Sequence, residues 1–149
     1  MVIDPTEEQL KTLLALLEHG HYVSRDAAFD ALRRRTMFNI VDLDGGWKAD
    51  LIVRKDRPFS RQEFDRRRRI VAMGESLWVV SPEDVILSKV EWMKGRESSM
   101  QYADALGVAA EHWRDLDQEY LRRWGQELGI EDMLAHLLKE AREQAERTD

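Results

Sequence analysis

A chain of 149 residues, 43% hydrophobic and 35% charged, has the composition of a globular domain long enough to bury a substantial core. It contains no cysteine, which excludes disulfides, zinc–thiolate sites and cysteine nucleophiles, and no apolar run approaches the length of a membrane span. The net charge of −6 does not favour nucleic acid as a partner of the chain as a whole. The arginines nevertheless cluster in Arg33-Arg34-Arg35 and Arg66 to Arg69, which leaves a local anion-binding patch open. No signal-peptide pattern opens the sequence, so a cytoplasmic protein is the expectation.

Met1-Val2-Ile3-Asp4 is a short apolar stretch, readable as the tail of a strand, that stops at the turn or helix-start signal Asp4-Pro5. Thr6 or Asp4 then caps a helix with Glu7 and Glu8 in its first turn and a stripe of Leu10, Leu13, Leu14 and Leu17. Gly20 ends it between His19 and His21, two histidines read as exposed loop residues rather than ligands. Ser24 caps a second helix through Ala27, Ala28, Ala31 and Leu32, and the arginine triplet suits its negative end.

A hairpin follows, with strands expected over Thr36 to Asp44 and Trp47 to Lys55 around Asp44-Gly45-Gly46. Strand alternation puts Lys48, Asp50, Ile52 and Arg54 on one face and Trp47, Ala49, Leu51 and Val53 on the other. Aspartate is disfavoured in strands, and turn chemistry does not require one at position 50. Asp50 is therefore the residue to explain. Together with Asp42 and Asp44 it offers oxygens to a divalent cation. The plainer reading makes Asp44 a turn residue and Asp42 its solvated neighbour.

Ser60 and Glu63 have the spacing of a capping box for a short helix through Phe64. The quartet Arg66 to Arg69 reads as a solvated surface, since without interleaved aromatics it lacks the stacking platform of a single-strand binder. Ile70 to Met73 and Ser76 to Val80 form a second hairpin around Gly74-Glu75. Ser81-Pro82-Glu83-Asp84 is the strongest helix start in the chain. Lys89 falls beside the buried stripe Ile86, Val90 and Met93. It either lies along apolar surface with its amine in water, or contacts a phosphate or Asp104 on the next helix. That helix, starting at Ser98 or Ser99, carries a small-residue face of Ala103, Leu106, Gly107 and Ala110. Two more helices follow, Asp117 to Leu128 and Glu131 to about Glu146, the last fraying from Ala141 on. The sum is a single α+β domain over 1–149, with a small early sheet and a helical second half.

The strand ending K-A-D-L-I-V, then F-x-R-x-E-F-x-R-R-R, V-x-S-P-E-D-V-I-L-S-K-V-x-W, Y-A-D-A-L-G-V and L-D-x-x-Y-L-R-R-W-x-x-E-L-G-I resemble the bacterial nucleotidyltransferase-like proteins. These are minimal relatives of the DNA polymerase β superfamily near the AbiEii-type toxin nucleotidyltransferases. The resemblance runs from about Val2 to Ala141, and S-P-E-D…K is its most specific part. It implies a small mixed sheet with flanking helices, and an intact relative that uses Mg²⁺ to transfer a nucleotide to an RNA or protein hydroxyl. It implies that Asp50 is the third metal-binding carboxylate, with Lys89, Asp104 and Lys48 as substrate-binding residues on the active-site side.

The family's Gly-Ser motif and the D-x-D pair expected before the first helix are not in these 149 residues. Met1-Val2-Ile3-Asp4-Pro5 is similar to the second half of the strand that carries the pair. Asp42-Leu43-Asp44 matches D-x-D by letters but lies on the wrong strand. Either Met1 is an internal methionine of a longer protein, or the chain is a shortened, non-catalytic descendant; in-frame translation upstream of Met1 separates the two. The expectation for the chain as it stands is no nucleotidyl transfer and no tightly bound metal. The rival reading is a non-enzymatic interaction module, a homodimer or one half of a toxin–antitoxin-like pair, recruited through an open sheet edge.

Overall fold

The structure, a computed structural model, describes residues 1–96 and 98–148. Among them the chain is α+β, with seven helices, a four-stranded mixed sheet and a separate two-stranded sheet. Its backbone divides into two compact units, Met1–Asp65 and Arg66–Asp149.

In the first unit, β1 (Val2–Ile3), α1 (Glu7–Leu16), β2 (His21–Tyr22), α2 (Arg25–Arg34), β3 (Met37–Asp42), β4 (Lys48–Val53) and α3 (Pro58–Asp65) follow in order. The sheet order is β1-β4-β3-β2, with β1 parallel to β4 and the other pairs antiparallel. Thr6, not Asp4, caps α1. Its hydroxyl accepts from the Gln9 N–H, and the Gln9 side chain accepts from the Thr6 N–H, a reciprocal capping box.

Asp4 has a different task. It accepts from Arg54 Nη2 at 2.6 Å and Arg35 Nη1 at 3.0 Å, tying the end of β1 to the end of β4 and to the C-cap of α2. Arg35 adopts φ 52° there, a left-handed conformation that most non-glycine residues avoid. Partial burial works to raise the Asp4 pKa, but the hydrogen bonds from Arg54 and Arg35 outweigh it and hold the carboxyl below its ordinary value.

Alternation along β4 decides the layers. Leu51 and Val53 point inward with Phe38 and Ile40, and they share a core with Leu10, Leu14, Ala28 and Ala31. A buried leucine or valine of this kind contributes about 1.5–3 kcal/mol. Lys48, Asp50 and Ile52 share the opposite face, as the spacing predicts, and that face is the open one. The hairpin strands are shorter than expected, because β3 stops at Asp42 and β4 starts at Lys48. His21 corrects the loop reading, since it lies in β2, opposite Asp42 of β3, and meets the Trp47 ring edge-on at 5.8 Å. Ser60 is also corrected. α3 starts at Pro58, whose fixed φ and missing N–H suit a first helical position, so Ser60 lies inside the helix, buried, and accepts from Arg57 Nε.

In the second unit, β5 (Arg68–Ala72) and β6 (Glu75–Val79) form a hairpin that leads into α4 (Pro82–Trp92), α5 (Ser99–Glu111), α6 (Gln118–Leu128) and α7 (Glu131–Thr148). The hairpin turn is Met73-Gly74 rather than Gly74-Glu75. Both residues have positive φ, 53° and 81°, the geometry whose twist matches a two-residue hairpin. Ser81, Ser98 and Asp117 cap their helices through their side chains, and Gly129 closes α6 in the left-handed region.

The core of this unit gathers Ile86, Leu87, Val90, Ala105, Ala109, Leu121, Trp124, Leu134 and Leu137. In α5 the packed small residues are Ala105 and Ala109, while Ala103 and Gly107 are exposed. Two small-residue rows run along that helix, and its letters do not choose between them. α7 does not fray at Ala141, which is fully buried, and it remains helical to Thr148. No helix among the described residues is long and apolar enough to cross a membrane.

Candidate functional site

Asp50 sits in the middle of β4 on the open face, with its side chain 50% exposed. Its cross-strand partner is Asn39, whose Nδ2 donates to Asp50 Oδ1, and Lys48 Nζ lies 3.4 Å from the same oxygen. The backbone carbonyl of Asp50 accepts from the Met1 amino group at 2.8 Å, because β1 runs parallel alongside. Sequence reasoning missed Asn39, which only the hairpin register brings opposite. The same register explains how an aspartate is accommodated in an apolar strand: it faces water, with an amide and an ammonium beside it.

Asp42 and Asp44 do not join Asp50. By alternation Asp42 belongs with Phe38 and Ile40 on the other face of β3. There it accepts from the Gly45 N–H and lies 3.5 Å from His21 Nε2, so it organises the turn rather than standing as a solvated neighbour. Asp44 lies in the turn itself. Among the described residues no group of three or more His, Cys, Asp or Glu side chains converges on one point.

Lys89 and Asp104 do come together. Lys89 Nζ donates to Asp104 Oδ2 at 2.9 Å and to Gln101 Oε1 at 3.1 Å, which joins α4 to α5. The pair reading of Lys89 therefore replaces the free-amine reading. Asp50 and Lys48 belong to the first compact unit, and Lys89 and Asp104 to the second.

The second unit also holds a polar cluster that the sequence suggested only as a helix start. Asp84 is fully buried, accepting from the Ser81 hydroxyl at 2.7 Å, the Tyr120 hydroxyl at 2.6 Å and Arg66 Nε at 3.3 Å. Glu83, also buried, accepts from the Asp117 N–H at 3.1 Å and from Arg66 Nη2 at 3.0 Å. The Arg66 guanidinium lies 3.9 Å from the centroid of the Tyr120 ring. The first arginine of the quartet is thus part of the fold, which corrects its reading as solvated surface.

Buried carboxylates persist only when their oxygens are satisfied, and here donors reach both oxygens of each. Burial pushes the Glu83 pKa up. The N–H donors of Asp117 and Glu83, the Ser81 hydroxyl and the Arg66 charge outweigh that and leave it below its ordinary value. This cluster locks the starts of α4 and α6 together. Its polar groups are consumed by one another, so it offers little to a ligand.

Two surface concavities, of about 520 and 350 Å³, are lined by Glu7, Lys11, Asp26, Phe29, Leu32 and Arg33, and by Arg68, Pro82, Glu83, His112, Asp115 and Leu116. Lys48, Asp50, Lys89 and Asp104 line neither. In comparisons with protein-family models, curated proteins and solved structures, nothing matches the chain.

Proposed function

We propose that the chain is a protein of nucleotidyltransferase ancestry in which Asp50 is the remaining metal-site carboxylate, and that these 149 residues do not themselves transfer a nucleotide. The observation that carries this reading is the position of Asp50. It is a solvent-facing carboxylate at mid-strand, beside a parallel neighbour, with a cation and an amide next to it. Lys48 is the nearest candidate for a substrate phosphate, while the Lys89–Asp104 pair lies in the other compact unit and is not counted in this site.

The residues present do not fit the two divalent cations that such chemistry uses. In-line displacement needs ions about 3.5–4 Å apart held by several carboxylates. Asp50 is already engaged by Asn39 and Lys48, Asp42 is turned away, and Asp4 is taken up by Arg54 and Arg35.

A second reading, an interaction module without catalysis, draws on the same face of the sheet. Val2, Tyr22, Met37 and Ile52 are exposed on it around Asn39 and Asp50. Its occupant would be a second copy of the chain, and a monomer in sizing at high concentration removes it.

The catalytic reading is tested with labelled nucleoside triphosphates, mixed RNA and Mg²⁺ or Mn²⁺. The 149-residue chain is expected to give no Asp50-dependent transfer. A version extended upstream through a Gly-Ser and D-x-D segment is expected to give transfer that Asp50→Asn abolishes. Transfer by the 149-residue chain that Asp50→Asn removes overturns the inactivity. An extended form that folds and binds nucleotide yet transfers with and without Asp50 alike overturns the role of Asp50.

A further inference from the structure

The β5–β6 hairpin is a two-stranded sheet, and among the described residues no backbone hydrogen bond joins it to a further strand. Two strands alone are marginally stable in water and gain from a third. The register decides which neighbour fits. Ala72 and Glu75 close the two-residue turn as a hydrogen-bonded pair, and bonded and non-bonded pairs alternate from there. The N–H and C=O groups of Ser76 and Trp78 therefore point outward along the free edge of β6. Leu77, at mid-strand and 47% exposed, shares one face of the hairpin with Arg68, Ile70, Glu75 and Val79.

This edge is complementary to itself. Antiparallel pairing about a two-fold axis at Leu77 sets Leu77 opposite its own copy, Ser76 opposite Trp78 and Glu75 opposite Val79. The hydrogen-bonded pairs are then Ser76 with Trp78, the residues whose backbone groups face outward. The central row across four strands becomes Ile70-Leu77-Leu77-Ile70, wholly apolar. In the row on either side, Arg68 of one copy and Glu75 of the other flank Val79, two strand spacings or about 10 Å apart. Both side chains are long enough to meet over the valine. Within one chain they are separated by four positions along the ladder, and among the described residues neither makes an ion pair. Pairing through β5 lacks this balance, because it gathers Arg68 and Arg69 of both copies on two strands that hold no acid.

We propose that two copies of the chain associate through their β6 edges, forming a four-stranded antiparallel sheet in the order β5-β6-β6-β5 about an axis at Leu77. Charge selects this occupant, since each Arg68 meets the Glu75 of the other copy. The interface uses none of the residues on the face that bears Asp50. A contact between two five-residue strands is at the small end of specific interfaces, so the dimer is expected to dissociate on dilution.

Sedimentation equilibrium from micromolar to millimolar concentration tests it, with a monomer–dimer equilibrium expected. Leu77→Lys, which sets like charges on the axis, should leave a monomer, while Ile52→Lys on the other sheet should leave the dimer intact. Arg68→Glu should weaken association about tenfold, and adding Glu75→Arg, which exchanges the two charges, should restore it. Circular dichroism establishes that each variant is folded. The chain has no cysteine, so Leu77→Cys supplies a single thiol that mild oxidation should join to its own copy across the non-bonded pair. Met73→Cys, at the more exposed turn, should link far more slowly. A monomer at millimolar concentration overturns the proposal. So do a dimer that Leu77→Lys leaves intact or Ile52→Lys abolishes, an Arg68→Glu variant that associates as the native chain does, a charge exchange that restores nothing, and Leu77→Cys linking no faster than Met73→Cys.

Discussion

Asp50 and Asp84 are the same side chain in opposite circumstances. Asp50 stands on the open face of β4, half in water, with Asn39 and Lys48 both at one oxygen. Asp84 is wholly buried at the start of α4, where Ser81, Tyr120 and Arg66 each donate to it. Both positions look anomalous for an acid, one in an apolar strand and one in a core. The difference is in what removing them would do. A buried, saturated carboxylate is committed to the fold, whereas an exposed one with partners on one side keeps room for chemistry.

The sharpest way to break this contrast is through Arg66. Arg66→Ala leaves Glu83 and Asp84 buried without their cation, which should cost about 3–5 kcal/mol in urea unfolding. Arg68→Ala, one strand position into the same quartet, should stay within about 0.5 kcal/mol. A loss below about 1 kcal/mol for Arg66→Ala would mean the cluster is not a structural anchor.

The acid limb gives a smaller, pH-dependent effect. The Glu83 pKa is lowered in the folded protein, so its contribution is fully present above the unfolded glutamate value of about 4.3 and is lost as pH falls through the lower folded value. The stability gap between the native chain and Glu83→Gln should therefore be constant from neutral pH down to about 5 and narrow below about 4. A gap independent of pH would remove the role of its charge. The smallest effect is expected at the exposed acid. Asp50→Asn should shift the unfolding free energy by no more than about 0.5 kcal/mol, in keeping with a half-exposed side chain in a weak surface pair. A large loss would place Asp50 with the structural acids and weaken its proposed role.

Much of the architecture was legible in local chemistry. The Ser24 and Ser81 caps, the two hairpins and the shared face of Lys48, Asp50 and Ile52 all follow from short-range rules that the structure obeys. What the sequence hid is what pairing across distance creates. Asn39 comes opposite Asp50 only through the register, and Arg66 reaches residues 17, 18 and 54 positions away. Trp78 supplies the arginines with an aromatic neighbour that is nine residues from Arg69 in sequence yet directly across the ladder. For that reason no aromatic neighbour of the quartet is visible in the sequence, although the Trp78 ring lies 5.5 Å from the Arg67 guanidinium. In α5 the choice of packed face was settled by neighbouring helices rather than by residue size.

The strict alternation of β4 also governs how this hairpin can change over time. Substitutions at Lys48 or Asp50 leave Leu51 and Val53 in the core, so the chemistry of the open face can drift without loss of the fold. A single-residue insertion between Lys48 and Leu51 cannot, because a slip of one position exchanges the two faces and carries Asp50 inward as Leu51 turns out. Length changes are therefore confined to the loop around Gly45 and Gly46. Whatever lineage this chain belongs to, the spacing from Asp50 to Val53 should be among its least variable lengths.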